Sequence, residues 1–314
     1  MQFQILKLND TVNFMKYRMP AMIFSSILIL ASIGSLAVNQ LNWGLDFTGG
    51  TVIQVSYPDG ANLEVIRDDL ALAEFPDAVV QNFGSSQEVL IRVAPRDDVQ
   101  AEVIGDMVLA ALKAATPNVE MQRIEFVGPN VGEELTEQGG LAMLVALICI
   151  LIYVAMRFEY RFALGSVGAL AHDVILTLGL FSFLQLEFDL TVLAALLAVI
   201  GYSLNDTIVV SDRIRENFRK VRKSEPAEII NISLTQTMNR TIVTSLTTIL
   251  VLVALFYKGG ALIHGFATAL LFGVFIGTYS SVYIASSVAL MLGVSKEDLM
   301  PPEIEKEGED LEPL

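Results

Sequence analysis

Residues 198–217 read AVIGYSLNDTIVVSDRIREN, and this stretch joins an apolar run to a basic segment. The apolar run begins near Leu190, and Asp206 lies inside what is predicted to be a membrane-spanning helix. A charged side chain near the centre of a bilayer costs roughly 2.5–3.5 kcal/mol even on insertion scales. Two interpretations follow: a structural polar contact between helices, or a carboxyl group that takes up and releases an ion or a proton.

The composition is that of a membrane protein. Hydrophobic residues make up 53% of the 314 residues, as expected for a chain with membrane spans. The single cysteine, Cys149, excludes an intrachain disulfide. His172 and His264 suggest no zinc spacing, and the chain has neither a phosphate-binding loop nor a dinucleotide-binding glycine pattern. We therefore expect no metal, no cofactor and no enzymatic activity, and an energy input from a partner or an ion gradient.

Six apolar runs and one polar segment organise the chain, which predicts an α-helical integral membrane protein. The polar segment, residues 40–137, contains 17 acidic and 5 basic residues. Its β-α-β-β-α-β order is typical of a ferredoxin-like α+β domain. The expected division is 1–19 cytoplasmic N-terminus, 20–39 first span, 40–137 periplasmic domain, 138–156 second span, 162–184 third span, 190–211 fourth span, 212–235 basic cytoplasmic loop with an amphipathic helix, 236–257 fifth span, 261–292 sixth span and 293–314 acidic cytoplasmic tail.

The distribution of positive residues predicts the orientation of the spans. The basic N-terminus, the link at 157–161 and the loop at 213–223 fall on one side if there are six spans, and positive residues favour the cytoplasm. The acidic domain and the links at 185–189 and 258–260 fall on the other side. A cleaved signal peptide is the alternative to the first span, because residues 35–37 weakly resemble a cleavage site.

Asp206 and Arg240 are predicted to lie at similar depth on consecutive spans. At 1.5 Å per residue, both lie roughly 6–10 Å from the cytoplasmic boundary, so the two charges can meet. The supporting polar groups expected near them are Asn205, Ser203, Asp173, His172, Thr244 and Thr248. Ordinary packing is the alternative for the threonines, since such residues are common between membrane helices. A satisfied packing role is the alternative for His172.

The chain resembles the SecF branch of the SecD/SecF family of protein-export membrane proteins, within the resistance-nodulation-division (RND) superfamily. The residues that carry the resemblance are Gly44, Asp46, Phe47, Thr48, Gly49 and Gly50 after the first span, residues 171–173, 199–217 and 235–248, and the glycine-rich sixth span. The resemblance implies half of an RND-type fold, paired with SecD beside the SecYEG translocon. It also implies that the proton motive force drives late-stage preprotein translocation across the bacterial inner membrane, with Asp206 and Arg240 as the proton-coupling residues.

Other functions and roles stay open from the sequence. A small-molecule RND-type efflux half-transporter would need a partner of similar size, and a structural subunit would move no ions. Protons are the coupling ion that the resemblance implies, with sodium as the alternative. The Gly49-Gly50 pair is interpreted as a sharp backbone turn from the membrane exit into the first strand, rather than as a contact with substrate.

Overall fold

The structure of the chain is a computed structural model that describes residues 11–83, 85–95, 101–221 and 224–295. Its helices, in chain order, are α1 Arg18–Val38, α2 Leu45–Thr48, α3 Leu63–Leu72, α4 Ala101–Ala115, α5 Pro129–Arg157, α6 Tyr160–Leu184, α7 Leu190–Lys220, α8 Pro226–Lys258, α9 His264–Ser280 and α10 Ser286–Met291. Its strands are β1 Asn42–Trp43, β2 Gly50–Ser56, β3 Val79–Phe83, β4 Ser85–Val93, β5 Glu120–Val127 and β6 Glu187–Phe188. A π-helical turn, Ser281–Ala285, joins α9 to α10.

Six helical stretches are long and apolar enough to cross a membrane, by length and composition alone. They contain α1, α5, α6, α7 and α8, and the sixth runs from His264 to Met291. The spans centred on α6, α7 and α9 are about half buried inside the chain, whereas α1 and α5 are almost entirely on its surface. The prediction of a six-span α-helical membrane protein is confirmed, and α6, α7 and α9 form the interior of the bundle.

The segment between α1 and α5 folds as the predicted ferredoxin-like domain. Its four strands follow the order β3-β4-β2-β5, and every neighbouring pair is antiparallel. Alternate residues of β2, such as Ile53 and Val55, are fully buried against Leu70 of α3 and Val108 of α4. These alternate residues lie on the face of the sheet that the two helices cover.

The other face of the sheet is turned towards the membrane helices, and a short parallel strand pair joins the two parts. In this pair β1 follows α1, while β6 lies in the connector between α6 and α7. The turn into β2 needs glycine, because Gly50 has φ of 113° and a Cβ there would lie 2.4 Å from the carbonyl oxygen of Val93. The structure thus gives Gly50 the backbone role expected from the sequence.

Small residues let α9 approach α7 closely. A Cβ at Gly273 would lie 2.1 Å from Cγ2 of Val199, and one at Gly277 would lie 3.1 Å from Cβ of Ser203. Such small-residue faces allow helix backbones to pack together in membranes. The close packing sets the end of α9 directly against the part of α7 that carries Asp206.

Some element bounds differ from the expected division of the chain. The amphipathic helix expected between the fourth and fifth spans is not separate, because α8 continues unbroken from Pro226 to Lys258. The α7 helix continues to Lys220, where the amide of Asn217 donates to Ser233 and Gln236 of α8. These polar contacts hold the two helices together beyond their apolar parts. Most of the expected N-terminus and acidic tail, residues 1–10 and 296–314, and Arg222 and Lys223 of the basic loop lie outside the described residues.

Candidate functional site

Asp206 is buried between α7, α8 and the π turn. Only 8% of the residue is exposed. The hydroxyl of Thr241 donates to its Oδ1 at 2.7 Å, and the hydroxyl of Ser281 donates to its Oδ2 at 2.8 Å. Each carboxylate oxygen therefore has a donor from a different neighbouring element. A buried carboxylate with both oxygens satisfied is a stable part of the bundle that can also bind a proton.

A second buried carboxylate, Asp173, lies on α6. The hydroxyls of Ser203 and Ser280 donate to its Oδ2 at 2.5 and 2.7 Å. Nδ1 of His172 is 2.9 Å from Oδ1 of the same carboxylate. All four residues are at most 2% exposed. Asp173 is thus held from α6, α7 and α9 together.

His172 extends this hydrogen-bonded network to α1. Its Nε2 is 3.2 Å from Oγ of Ser25, and that hydroxyl is 3.1 Å from the hydroxyl of Tyr279. Tyr279 in turn donates to the carbonyl oxygen of Ala21. Together with the hydrogen bond between Ser35 and Ser182, these polar contacts hold α1 against α6 and α9.

Arg240 does not form the direct ion pair expected from the sequence. Both residues are among those described, and no nitrogen of Arg240 lies within 4 Å of a carboxylate oxygen of Asp206. Thr241 makes the contact from α8 to Asp206 instead. Arg240 lies on the exposed side of α8 and acts on Asp206 only through its charge. The two residues lie on neighbouring helices, but the face of α8 that contacts α7 contains Thr241 and not its neighbour Arg240.

The supporting residues proposed from the sequence divide into two groups. Ser203 and His172 contact Asp173 directly. Asn205 is exposed on α7, and the hydroxyls of Thr244 and Thr248 donate to carbonyl oxygens of their own helix. The residues that the sequence reasoning did not single out are Thr241, Ser245, Ser25, Tyr279, Ser280 and Ser281. The spacing of Thr237, Thr241 and Ser245 by four residues was the available signal for the buried face of α8.

A second polar cluster lies beside the N-terminus of α7, where the ferredoxin-like domain contacts the helices. The guanidinium of Arg92 in β4 donates to Oε1 of Glu187 at 2.5 Å and to the carbonyl oxygen of Trp43 at 2.7 Å. Burial raises the pKa of the Glu187 carboxyl above its usual range, while the charge of Arg92 opposes that shift. This Arg92–Glu187 bridge ties the sheet to the connector between α6 and α7.

Asp46, in the segment after α1, also contacts this end of α7. Its Oδ2 accepts the backbone N–H of Leu190 at 2.9 Å, and Asp189 accepts the N–H of Val192 at 2.8 Å. Two carboxylates at a helix N-terminus satisfy free backbone donors and complement the helix dipole. Phe47 packs beside Trp43 and Phe188. The segment therefore anchors the start of α7, which is a structural role.

Ionisable side chains inside a bundle of membrane helices are costly, and they mark ion or proton pathways in polytopic membrane proteins. Asp206 and Asp173 are two such side chains in the interior of this bundle, so the fold and the site define a polytopic membrane protein with buried ionisable groups. Comparison of the sequence with known families is more specific. A family model described as protein export membrane protein SecD/SecF, C-terminal, matches residues 107–295, and the SecD/SecF GG motif matches residues 34–57. The chain belongs to the SecD/SecF family.

Relatives and solved structures agree with this assignment. The chain is 62% identical over 99% of its length to a protein translocase subunit SecF of Vibrio alginolyticus, of which it covers 99%. It is 49% identical over 95% of its length to a subunit of the same name from Escherichia coli O157:H7, of which it covers 93%. The crystal structure of a translocon-associated SecDF from Thermus matches with a TM-score of 0.83 and 37% identity over 92% of this chain. The chain spans 39% of the length of that SecDF.

Proposed function

We propose that this chain is a SecF-type subunit that couples the proton motive force to late-stage preprotein translocation, together with a SecD-type partner. The observation that supports the proposal most is the buried Asp206, held by donors from two other elements. When a proton binds, one carboxylate oxygen becomes a donor, so Thr241 or Ser281 has to reorient. Moving one charge through 100 mV supplies about 2.3 kcal/mol, which is sufficient to bias an equilibrium between two helix arrangements.

The connection between the bundle and the ferredoxin-like domain supports a mechanical output. The carboxylates Asp173 and Asp206 lie on α6 and α7, and the connector of these two helices contains β6. Through β6, the connector pairs with β1, and through Glu187 it is bound to Arg92 of the sheet. A shift of α6 against α7 therefore moves the strand on which the domain is seated.

A partner subunit is supported by the outer face of α8. Arg240, Thr244 and Thr247 are exposed on this face in the single chain. A cationic side chain facing lipid is costly, which favours its coverage by a second membrane subunit. A SecD-type protein supplies the missing half of the fold, since the chain corresponds to only 39% of the matched SecDF. SecYEG and the preprotein are the further partners that we propose for the assembled complex.

The orientation that we propose places both termini in the cytoplasm of a bacterial inner membrane and residues 40–137 in the periplasm. The basic ends of α5 and α7 lie together, where Arg157 binds Asp212 at 2.6 Å and Arg215 binds Glu159 at 3.2 Å. The acidic domain lies at the opposite end of the bundle. Positive residues retained at the cytoplasmic side support this orientation.

The test is Asp206→Asn in the complete complex in inverted membrane vesicles. We expect the complex to assemble and the stimulation of translocation by a proton gradient to be lost, because the amide binds no proton at working pH. Asp212→Asn is the matched control, since it makes the same substitution on the same helix at a surface ion pair. Normal stimulation in Asp206→Asn would contradict the proposal and favour a subunit that moves no ions.

The coupling ion is tested with imposed gradients. With a pH gradient alone, we expect wild-type activity to be stimulated and Arg240→Met to respond weakly, because Arg240 then no longer acts on the charge of Asp206. Stimulation by a sodium gradient without a pH gradient would contradict proton coupling. Accumulation of small molecules that depends on Asp206 would instead indicate an efflux transporter.

A further inference from the structure

Ser280 and Ser281 are consecutive residues that contact two different buried carboxylates. Ser280 donates to Asp173 of α6 at 2.7 Å, and Ser281 donates to Asp206 of α7 at 2.8 Å. Both serines are fully buried. Successive side chains on a helix point about 100° apart, so two adjacent hydroxyls can reach two neighbouring helices at the same level. The end of α9 therefore joins the carboxylates through a single peptide unit.

The backbone at this junction departs from a regular α-helix. The π turn begins at Ser281, and the hydroxyl of Ser286 donates to the carbonyl oxygen of Ser281, five residues earlier. On the other side of the turn, a Cβ at Gly165 would lie 2.7 Å from the carbonyl oxygen of Ala285. Single π turns within α-helices occur frequently at functional sites. Here the wider turn is packed against α6 and begins at the serine that binds Asp206.

Each serine has a second acceptor within reach. The hydroxyl of Ser281 is 3.0 Å from the carbonyl oxygen of Thr278, and that of Ser280 is 3.1 Å from the carbonyl oxygen of Gly277. An ionised carboxylate only accepts hydrogen bonds, whereas a protonated one also donates. When either carboxylate binds a proton, its serine can turn to the backbone without losing its hydrogen bond. The change at one carboxylate is thereby passed to the peptide that positions the other.

We propose that Asp173 and Asp206 form one linked proton-binding unit, in which Ser280 and Ser281 are the positioning residues that make proton binding at one carboxylate depend on the state of the other. This inference rests on the proposed function and adds Asp173 to the site. Interacting carboxyl groups release protons in steps that belong to the pair. Three ionisable groups lie near the pair or act on it: His172 on α6 contacts Asp173, Tyr279 on α9 lies beside the ring of His172, and Arg240 on α8 acts on Asp206 through its charge.

The experiment follows the Asp206 carboxyl by infrared spectroscopy in the purified complex with its partner subunit, reconstituted in liposomes. The protonated carboxyl band that is absent in Asp206→Asn is assigned to Asp206 and titrated with pH. We expect Ser280→Ala to move the midpoint of this band by about half a pH unit or more, a roughly threefold change in proton affinity. Ser280 does not contact Asp206, so a purely local effect would not move this midpoint.

Two further variants complete the test. Asp173→Asn removes the second carboxylate and is expected to shift the Asp206 midpoint as well. Ser166→Ala is the matched control, because the hydroxyl of this buried serine donates to the carbonyl oxygen of Phe162 in its own helix, and we expect the substitution to leave the midpoint unchanged. If Ser280→Ala does not assemble, Ser280→Cys keeps the size of the side chain with a weak donor and is measured in the same way.

The outcomes separate this inference from the proposed function. An unchanged Asp206 midpoint in Ser280→Ala, or in Ser280→Cys where the alanine variant is not obtained, overturns the serine link. A shift with Asp173→Asn alone also overturns it, because the two charges would then interact directly through space. Loss of proton-driven translocation in Asp206→Asn is read independently of the infrared midpoint, so either proposal can fail while the other holds.

Discussion

Gly273 is a residue at which the helix packing leaves almost no room for a larger side chain. The Cβ added by Gly273→Ala would overlap Val199, a β-branched side chain with few alternative rotamers. We expect the substitution to lower the free energy of unfolding by about 1–3 kcal/mol, as overpacking generally does. Denaturant unfolding of the detergent-solubilised protein measures the effect.

The control for this prediction is Gly201→Ala on α7. No heavy atom lies within 4 Å of a Cβ at Gly201, so the added methyl group meets open space. We expect its stability to equal that of the wild type or to be slightly higher, since alanine favours helix. Equal unfolding curves for Gly273→Ala and Gly201→Ala would show that α9 does not depend on this close approach.

Single residues also show how far the sequence could predict the site. Asp206 was identifiable because a charge within an apolar run is rare and costly. Thr241, Ser280 and Ser281 were not, because hydroxyl residues are common in membrane helices and mostly bond to their own backbone. Which of them turns towards a carboxylate depends on the rotation of α8 and α9. A rotation of one residue on α8 exchanges Arg240 for Thr241 at the interface.

At the scale of secondary-structure elements, the Arg92–Glu187 bridge makes the contact between the sheet and the α6–α7 connector sensitive to pH. The pKa of Glu187 is raised, chiefly by burial, so the carboxylate is charged and bound to Arg92 at pH values above this pKa. It becomes neutral as the pH falls through that value. An acid whose pKa is raised by folding binds its proton more tightly in the folded state than in the unfolded state. Acidification therefore weakens the bridge to Arg92, but the protonation of Glu187 does not lower the free energy of unfolding.

Hydrogen exchange can test the bridge directly. The N–H of Gly44 donates to the carbonyl oxygen of Phe188 at 2.8 Å, beside the bridge. We expect the protection factor of Gly44 to fall as the pH is lowered from neutral, and to vary less in Glu187→Gln, which has no charge to lose. Glu88→Gln in the same sheet is the control for an altered acidic residue. A wild-type protection factor independent of pH would contradict this prediction.

Elements were predicted more reliably in the domain than at the helix ends. The strands β2 to β5 follow from alternating apolar residues and intervening turns, because the period of two fixes which face is buried. The pairing of β1 with β6 involves two residues in each strand, which is too short for a sequence pattern. The π turn at Ser281 lies against Gly165 of α6, and no residue pattern in the sequence predicted it.

At the scale of the whole molecule, the exposed face of α8 predicts where the partner subunit lies. A photo-reactive amino acid introduced at Thr247 should form a covalent adduct with the SecD-type partner after irradiation of the complete complex. The control position is Leu30 of α1, which is 69% exposed and lies away from the polar face. Adducts with the partner at Leu30 but not at Thr247 would contradict this location.

The strand pair β1–β6 has a consequence for biogenesis. The sheet and its two covering helices are complete once residue 127 has been synthesised, whereas β6 and α7 come later in the chain. Domains generally fold as units, with N-terminal parts first during synthesis. The ferredoxin-like domain is therefore expected to fold while still tethered only by its two flanking helices, and to acquire its final seat when the connector after α6 emerges. In a nascent chain arrested before residue 185, we expect the domain to be folded but not yet paired with β6. Its connections to α1 and α5 would then be accessible to proteases.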